Sequence, residues 1–175
     1  MEMIATAKKA AKAGGKVLLK YFGKNVKFEK KKDKTFVSVA DREAEKAIKK
    51  IIRKKFPSHS IKGEETGTSG KNGIVWHVDP IDGTSNFKNN IPLSATSIGI
   101  EKNGEFVAGV VYHPFTDELF YAEKGKGAFL NGKRIKVSKF NASEGVIVID
   151  ASFRGDRVKR KMKTFSGLLK TCSRY

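Results

Sequence analysis

The sequence predicts an α+β fold, with N-terminal helices packed on a largely antiparallel sheet. Three observations lead there. Apolar residues recur at three- and four-residue steps in two separate stretches before Pro57, as amphipathic helices require. Two Asn-Gly pairs, at 103–104 and 131–132, each sit between β-rich runs and signal tight hairpins. The chain has 175 residues, 39% of them hydrophobic and 12 of them Phe, which suits one domain, or the larger part of one, with a real core. No internal repeat or linker divides it, so residues 1–175 are expected to form a single α+β domain.

The first helix is expected over residues 3–22, where Ile4, Ala7, Ala11, Gly14, Leu18 and Phe22 share a face. Asn25–Lys34 is dense in charge and reads as a solvated connector. A second helix should begin at Ser38, because Ser38-Val39-Ala40-Asp41 has the form of a capping box. Its apolar face is Ala44, Ile48, Ile51 and Ile52, and Pro57 stops it. A short strand then runs into Gly63-Glu64-Glu65, and Thr66–Gly73 reads as a Gly/Ser/Thr-rich loop. Ile74–Val78 is expected to be a buried strand cut off by Asp79-Pro80. Ser94–Val137 has the texture of an antiparallel meander. Gly145–Ala151 is expected as a further strand and Asp156–Thr171 as a basic helix.

The formal charge is +18, but it is uneven. Residues 1–60 carry 18 basic and 6 acidic side chains, 61–150 carry 10 and 11, and 151–175 carry 8 and 1. The basic ends leave RNA or another acidic partner open, and the balanced middle does not favour it. No stretch approaches the ~20 apolar residues of a membrane span. Lys8, Lys9 and Lys12 interrupt any secretory signal core, so the expected location is cytoplasmic and no membrane partner is expected. The single Cys172 excludes an intrachain disulfide and a Cys-based zinc cluster.

Chemistry concentrates in Gly63-Glu64-Glu65 and in Trp76-His77-Val78-Asp79-Pro80-Ile81-Asp82-Gly83-Thr84. Asp79 stands where a buried strand ends and Asp82 follows three residues on, so a tight turn aims both carboxylates into one space. Ile81 between them offers a backbone carbonyl, and Gly83 permits close backbone approach. Converging carboxylates repel unless a cation neutralises them, and an all-oxygen set favours Mg²⁺ or Mn²⁺. The Gly83 and Thr84 amides are placed to hold a phosphate oxygen if a helix starts there. His77 is read as a structural residue that alternates away from Asp79.

The segment GEE followed by WHVDPIDGTSNF resembles the signature of the inositol monophosphatase family, which includes archaeal-type fructose-1,6-bisphosphatases and bisphosphate-nucleotide phosphatases. KKFPSHSIKGEE, SVAD and GVVYHPFTDELFYAEKGKGAFLNGKRIKVS are similar to further family segments, so the resemblance covers nearly all of residues 1–140. It implies a sugar-phosphatase fold and a Mg²⁺-dependent phosphomonoesterase that attacks inositol monophosphate, fructose-1,6-bisphosphate or both with an activated water. It further implies that Glu64 is a metal ligand that helps position the water, that Asp79 bridges two metals, and that Asp82 binds the second. The Ile81 carbonyl would complete the first site, with two or three Mg²⁺ per full site and Mn²⁺ as a substitute. Gly83 and Thr84 would hold the substrate phosphate, Asp41 would pair with the Thr84 hydroxyl, and Glu65 would stand behind the ligands rather than among them. A homodimer acting on a small phosphorylated sugar or polyol is the implied assembly.

The chain departs from the family in one respect. A second family signature, a Trp-Asp pair that supplies the third carboxylate of the second metal site, is absent, since Trp76 is the one tryptophan. The expectation is therefore an N-terminal part of the sugar-phosphatase fold, without its C-terminal α/β part. Two other functions stay open at this stage: a non-catalytic family member that binds RNA or another acidic partner through its basic ends, and a phosphatase for 3′-phosphoadenosine nucleotides.

Overall fold

A 20-residue helix, α1 (Glu2–Tyr21), and a 17-residue helix, α2 (Val39–Lys55), lie on one face of a sheet. The structure is a computed structural model that describes residues 2–30, 36–69, 73–139 and 166. The chain divides into two compact units, Met1–Ile135 and Lys136–Tyr175, and every element named below lies in the first. Apart from Ser166, the strand expected over Gly145–Ala151 and the helix expected over Asp156–Thr171 lie outside the described residues.

The capping box at α2 forms as the sequence predicts. Ser38 Oγ accepts from the Ala40 amide at 3.1 Å, and Asp41 Oδ2 accepts from the Ser38 amide at 2.7 Å. The supposed connector before it contains β1 (Phe28–Lys30), which pairs antiparallel with β2 (Phe36–Ser38). Apolar contact explains the difference, since Phe28 packs edge-on to Phe87 with ring centroids 6.5 Å apart.

The main sheet comprises β3 (Ser60–Gly63), β4 (Gly67–Ser69), β5 (Ile74–Asp82), β6 (Ala95–Lys102), β7 (Glu105–His113), β8 (Glu118–Glu123), β9 (Gly127–Leu130) and β10 (Lys133–Ile135). Its order is β10-β9-β8-β7-β6-β5-β3-β4, and every pairing is antiparallel except β3 with β5. Both Asn-Gly turns carry positive φ at each residue (53° and 84° at Asn103-Gly104, 48° and 85° at Asn131-Gly132), which matches the right-handed strand twist. Part of the expected Thr66–Gly73 loop is β4, pinned against β3 with Gly63 opposite Gly67.

Two apolar clusters hold the helices on the sheet. In the first, Ala7 and Ala11 of α1 and Ile48 and Ile52 of α2 bury against Trp76, Ile98, Ile100 and Val110. In the second, Leu18, Ala40 and Ala44 bury against Ile81 and Phe87. Ile81 thus anchors the end of β5 beneath the helices, beside the segment on which the acidic residues stand.

Candidate functional site

The parallel pairing of β3 and β5 creates the site. Gly63 lies opposite Val78, and the Glu64 amide donates to the Val78 carbonyl at 3.1 Å. Both strands run in the same direction, so Glu64 and Asp79 emerge side by side at one end of the sheet. A cavity of about 380 Å³ opens there, lined by Glu64, His77, Asp79, Ser97, Lys62 and Phe106 among others.

The strand does not stop at Pro80, contrary to expectation. It continues to Asp82 through a β-bulge: Asp79 pairs with Ser97 and Asp82 with Ala95, three steps on β5 against two on β6. The extra residue accommodates the proline, whose carbonyl accepts from Thr96 Oγ1 at 3.1 Å. It also resets the alternation. Ala95, Ser97 and Gly99 share one face of β6, so their partners Asp82, Asp79 and His77 share one face of β5. The expected orientation of His77 is therefore corrected, because residues two apart on a strand point the same way. His77 borders the cavity, with Nε2 at 2.8 Å from Glu101 Oε2 and its ring against Phe106.

Asp79 is the electrostatic centre. Burial pushes its carboxyl up, and the neighbouring charge and hydrogen bond of Glu64 and the charge of Asp82 push it further, to about 8. Its Oδ1 is fully buried with no hydrogen-bond partner among the described residues. A lone buried carboxylate oxygen beside two further carboxylates is a poor resting arrangement for the protein alone and a good one for a hard cation.

The chain then turns through Gly83 into α3 (Thr84–Lys88). Gly83 has φ 87°, and an added Cβ would lie 2.9 Å from the Leu93 carbonyl oxygen, so both conformation and space demand glycine. Ser94 Oγ donates to the Gly83 carbonyl at 3.0 Å and holds the turn in place. The Thr84 hydroxyl donates to the Ile81 carbonyl at 3.0 Å. Asp41, only 1% exposed, accepts from the Ser38 hydroxyl and amide, each at 2.7 Å. Burial raises its pKa against those two donors, and the charge of Glu64 adds to the rise. In this structure Asp41 and Thr84 are thus each engaged elsewhere, rather than forming the pair the resemblance implies.

Glu64 and Asp79 come together, and Asp82 stands close enough to act on Asp79. Among the described residues, no group of three or more His, Cys, Asp or Glu side chains is arranged to hold a metal ion. Glu65 turns its amide to Glu45 Oε2 at 2.8 Å. Sequence reasoning passed over Glu45. Its signal was present, because Asp41, Glu45, Lys49 and Arg53 recur every four residues along one side of α2.

The model of the inositol monophosphatase family matches residues 1–174. The chain belongs to the inositol monophosphatase family. A fructose-1,6-bisphosphatase/inositol-1-monophosphatase from Aquifex aeolicus is 47% identical over 137 residues, covering 77% of this chain and 52% of that protein. An inositol-1-monophosphatase from Rhizobium meliloti is 41% identical over 140 residues, with the same 77% and 52% shares. Among solved structures, the extragenic suppressor protein suhB from Bartonella henselae superposes with a TM-score of 0.90 at 32% identity, covering 99% of this chain and 69% of that one. The fold of the inositol monophosphatase family is therefore shown, and the chain spans about half the length of the curated relatives it matches. No helix among the described residues is long and apolar enough to cross a membrane.

Proposed function

We propose that this chain carries the metal- and phosphate-binding corner of a Mg²⁺-dependent phosphomonoesterase that hydrolyses inositol monophosphate, fructose-1,6-bisphosphate or both. The observation that carries the reading is Asp79, a half-buried carboxylate whose Oδ1 is fully buried without a partner among the described residues, pressed against Glu64 and near Asp82. Glu64, Asp79, Asp82 and the Ile81 carbonyl are the residues that would hold the cation. The family relationship supports the chemistry, and the names of the relatives support the substrate class.

When bound, Mg²⁺ lowers the pKa of water and neutralises phosphoryl charge. The chain's own residues orient the reactants. Glu64, exposed at the mouth of the cavity, positions the attacking water. Gly83 and Thr84 present backbone amides to the phosphate at the bend between β5 and α3. Thr84 links two requirements of this corner. Its single hydroxyl proton is given to the Ile81 carbonyl and would have to move to pair with Asp41, while the second lone pair of that carbonyl remains available to a cation. A homodimer is the expected assembly, which sizing of the purified chain measures.

Phosphate release from inositol-1-phosphate and fructose-1,6-bisphosphate, with and without Mg²⁺, tests the reading when run beside calorimetric Mg²⁺ titration. Mg²⁺-dependent release that disappears in Asp82→Asn supports it. A folded chain that neither binds divalent ions nor releases phosphate contradicts it.

A further inference from the structure

One buried carboxylate outside the acidic corner contacts the chain on both sides of Glu64. Glu45 on α2 is only 1% exposed. Its Oε2 accepts the Glu65 amide at 2.8 Å, and its Oε1 accepts the Thr66 hydroxyl at 2.5 Å. Lys49, one helical turn on, pairs with Oε1 at 2.9 Å and also bonds the Thr66 hydroxyl. On the other side of Glu64, the carboxylate rests against Gly63 so closely that an added Cβ there would lie 2.4 Å from Oε1. Residues 63, 65 and 66 are thus fitted to one side chain, and Glu64 is the residue between them.

We propose that Glu45 is a positioning residue, whose buried carboxylate holds the Gly63–Thr66 turn so that Glu64 is presented to Asp79 and the two can share a divalent cation. The inference deepens the phosphatase reading and rests on it. A carboxylate suits the task because both of its oxygens accept and neither donates, so the Glu65 amide and the Thr66 hydroxyl are satisfied together. A glutamine in its place offers one acceptor, meets the Thr66 hydroxyl only by reversing that bond, and loses the ion pair with Lys49. The Thr66 hydroxyl, the Glu65 amide and then Lys49 offset the burial of this group and favour its ionised form. The role acts through Glu64 and needs no contact between Glu45 and substrate.

The experiment compares the full chain with Glu45→Gln, Glu64→Gln and Ile48→Val, the last a small core change on the same helix. Calorimetric Mg²⁺ titration and amide exchange at Glu65 are the two readouts. Glu45→Gln is expected to weaken Mg²⁺ about tenfold, as loss of a supporting partner behind a metal ligand does, and to speed Glu65 exchange. Ile48→Val should change neither. Mg²⁺ affinity in folded Glu45→Gln equal to that of the parent chain, or an equal loss in Ile48→Val, overturns the proposal. If Glu45→Gln does not fold, Thr66→Val carries the same test from the exposed side of the turn, and unchanged affinity there overturns it equally. Binding lost in Glu64→Gln but kept in Glu45→Gln sinks this inference alone. A parent chain that binds no Mg²⁺, or a Glu64→Gln that binds as well as the parent, sinks the functional reading and this inference with it.

Discussion

A fully buried carboxylate, Glu45, and a half-buried one, Asp79, lie on either side of the Glu64 turn, and their surroundings are opposite. Burial pushes Glu45 up, but the Thr66 hydroxyl, the Glu65 amide and Lys49 more than offset it, so its pKa falls below the usual glutamate value. At the end of β5, burial pushes Asp79 up, and its neighbours Glu64 and Asp82 push the same way. One carboxylate is saturated with donors, while the other has an oxygen with no partner among the described residues. Saturation marks a group that holds structure, because its hydrogen-bonding capacity is spent within the fold. An orphaned acceptor among like charges marks a group kept ready for a ligand, because the fold alone does not satisfy it.

The sharpest way to break this comparison is to neutralise each carboxylate in turn. Asp79→Asn should weaken Mg²⁺ by more than about 100-fold, beyond the ~10–100-fold cost of losing a supporting partner. In EDTA near neutral pH the same variant should unfold at a higher temperature than the parent, because folding no longer has to raise a carboxyl from its ordinary value to about 8 beside Glu64 and Asp82. Glu45→Ala should move stability the other way, by about 2 kcal/mol, since it strands the Glu65 amide and the Lys49 ammonium. Calorimetric titration and thermal unfolding with and without EDTA read both. Two variants that shift metal-free stability in the same direction would end the distinction between the sites.

Much of this contrast was half legible in the sequence, and the legible half is the local half. The Asn-Gly hairpins and the Ser38 capping box follow from chemistry within four residues, and the structure forms them. Glu64, Asp79 and Asp82 stood out as acids at strand ends, and the family signature raised them further. What did not show was long-range. The bulge at Pro80 needs β6 alongside to be visible, since only pairing with Ser97 and Ala95 reveals the extra residue. β4 exists because β3 offers it an edge. For Glu45 the local signal is the four-residue charged repeat that includes Lys49, but its Glu65 and Thr66 partners return only 20 and 21 residues later. His77 is different, because its face was readable from a two-residue step.

The bend after β5 offers a more modest test. Gly83→Ala should destabilise by about 1–2 kcal/mol, the strain of a left-handed conformation for an L side chain. Its added Cβ also meets the Leu93 carbonyl. Urea unfolding measures it. A neutral result would show that the bend can relax, and with it the proposed placement of the Gly83 and Thr84 amides.

The smallest expected effect concerns a third titratable group, which like Glu45 accepts from a donor within the fold. Trp76 Nε1–H donates to His59 Nδ1 at 3.0 Å, while Phe56 stacks on the imidazole with centroids 4.7 Å apart and Arg53 holds the His59 carbonyl at 2.6 Å. Burial lowers the His59 pKa from its usual 6.5. Nδ1 already accepts a proton donor, so protonation there has to break the bond to Trp76. The folded state therefore prefers neutral His59. Its stabilising contribution is complete above pH 6.5 and is lost as the pH falls through the lowered folded value. His59→Gln keeps an acceptor for Trp76 but cannot titrate. Urea unfolding at steps from about pH 7.5 down to pH 5.5 should show the parent chain losing stability relative to the variant, by less than about 1 kcal/mol. A parallel pair of profiles would mean that the Trp76–His59 contact opens readily, and that a saturated hydrogen bond at this edge does not lock the end of β3 as Glu45 locks its far side.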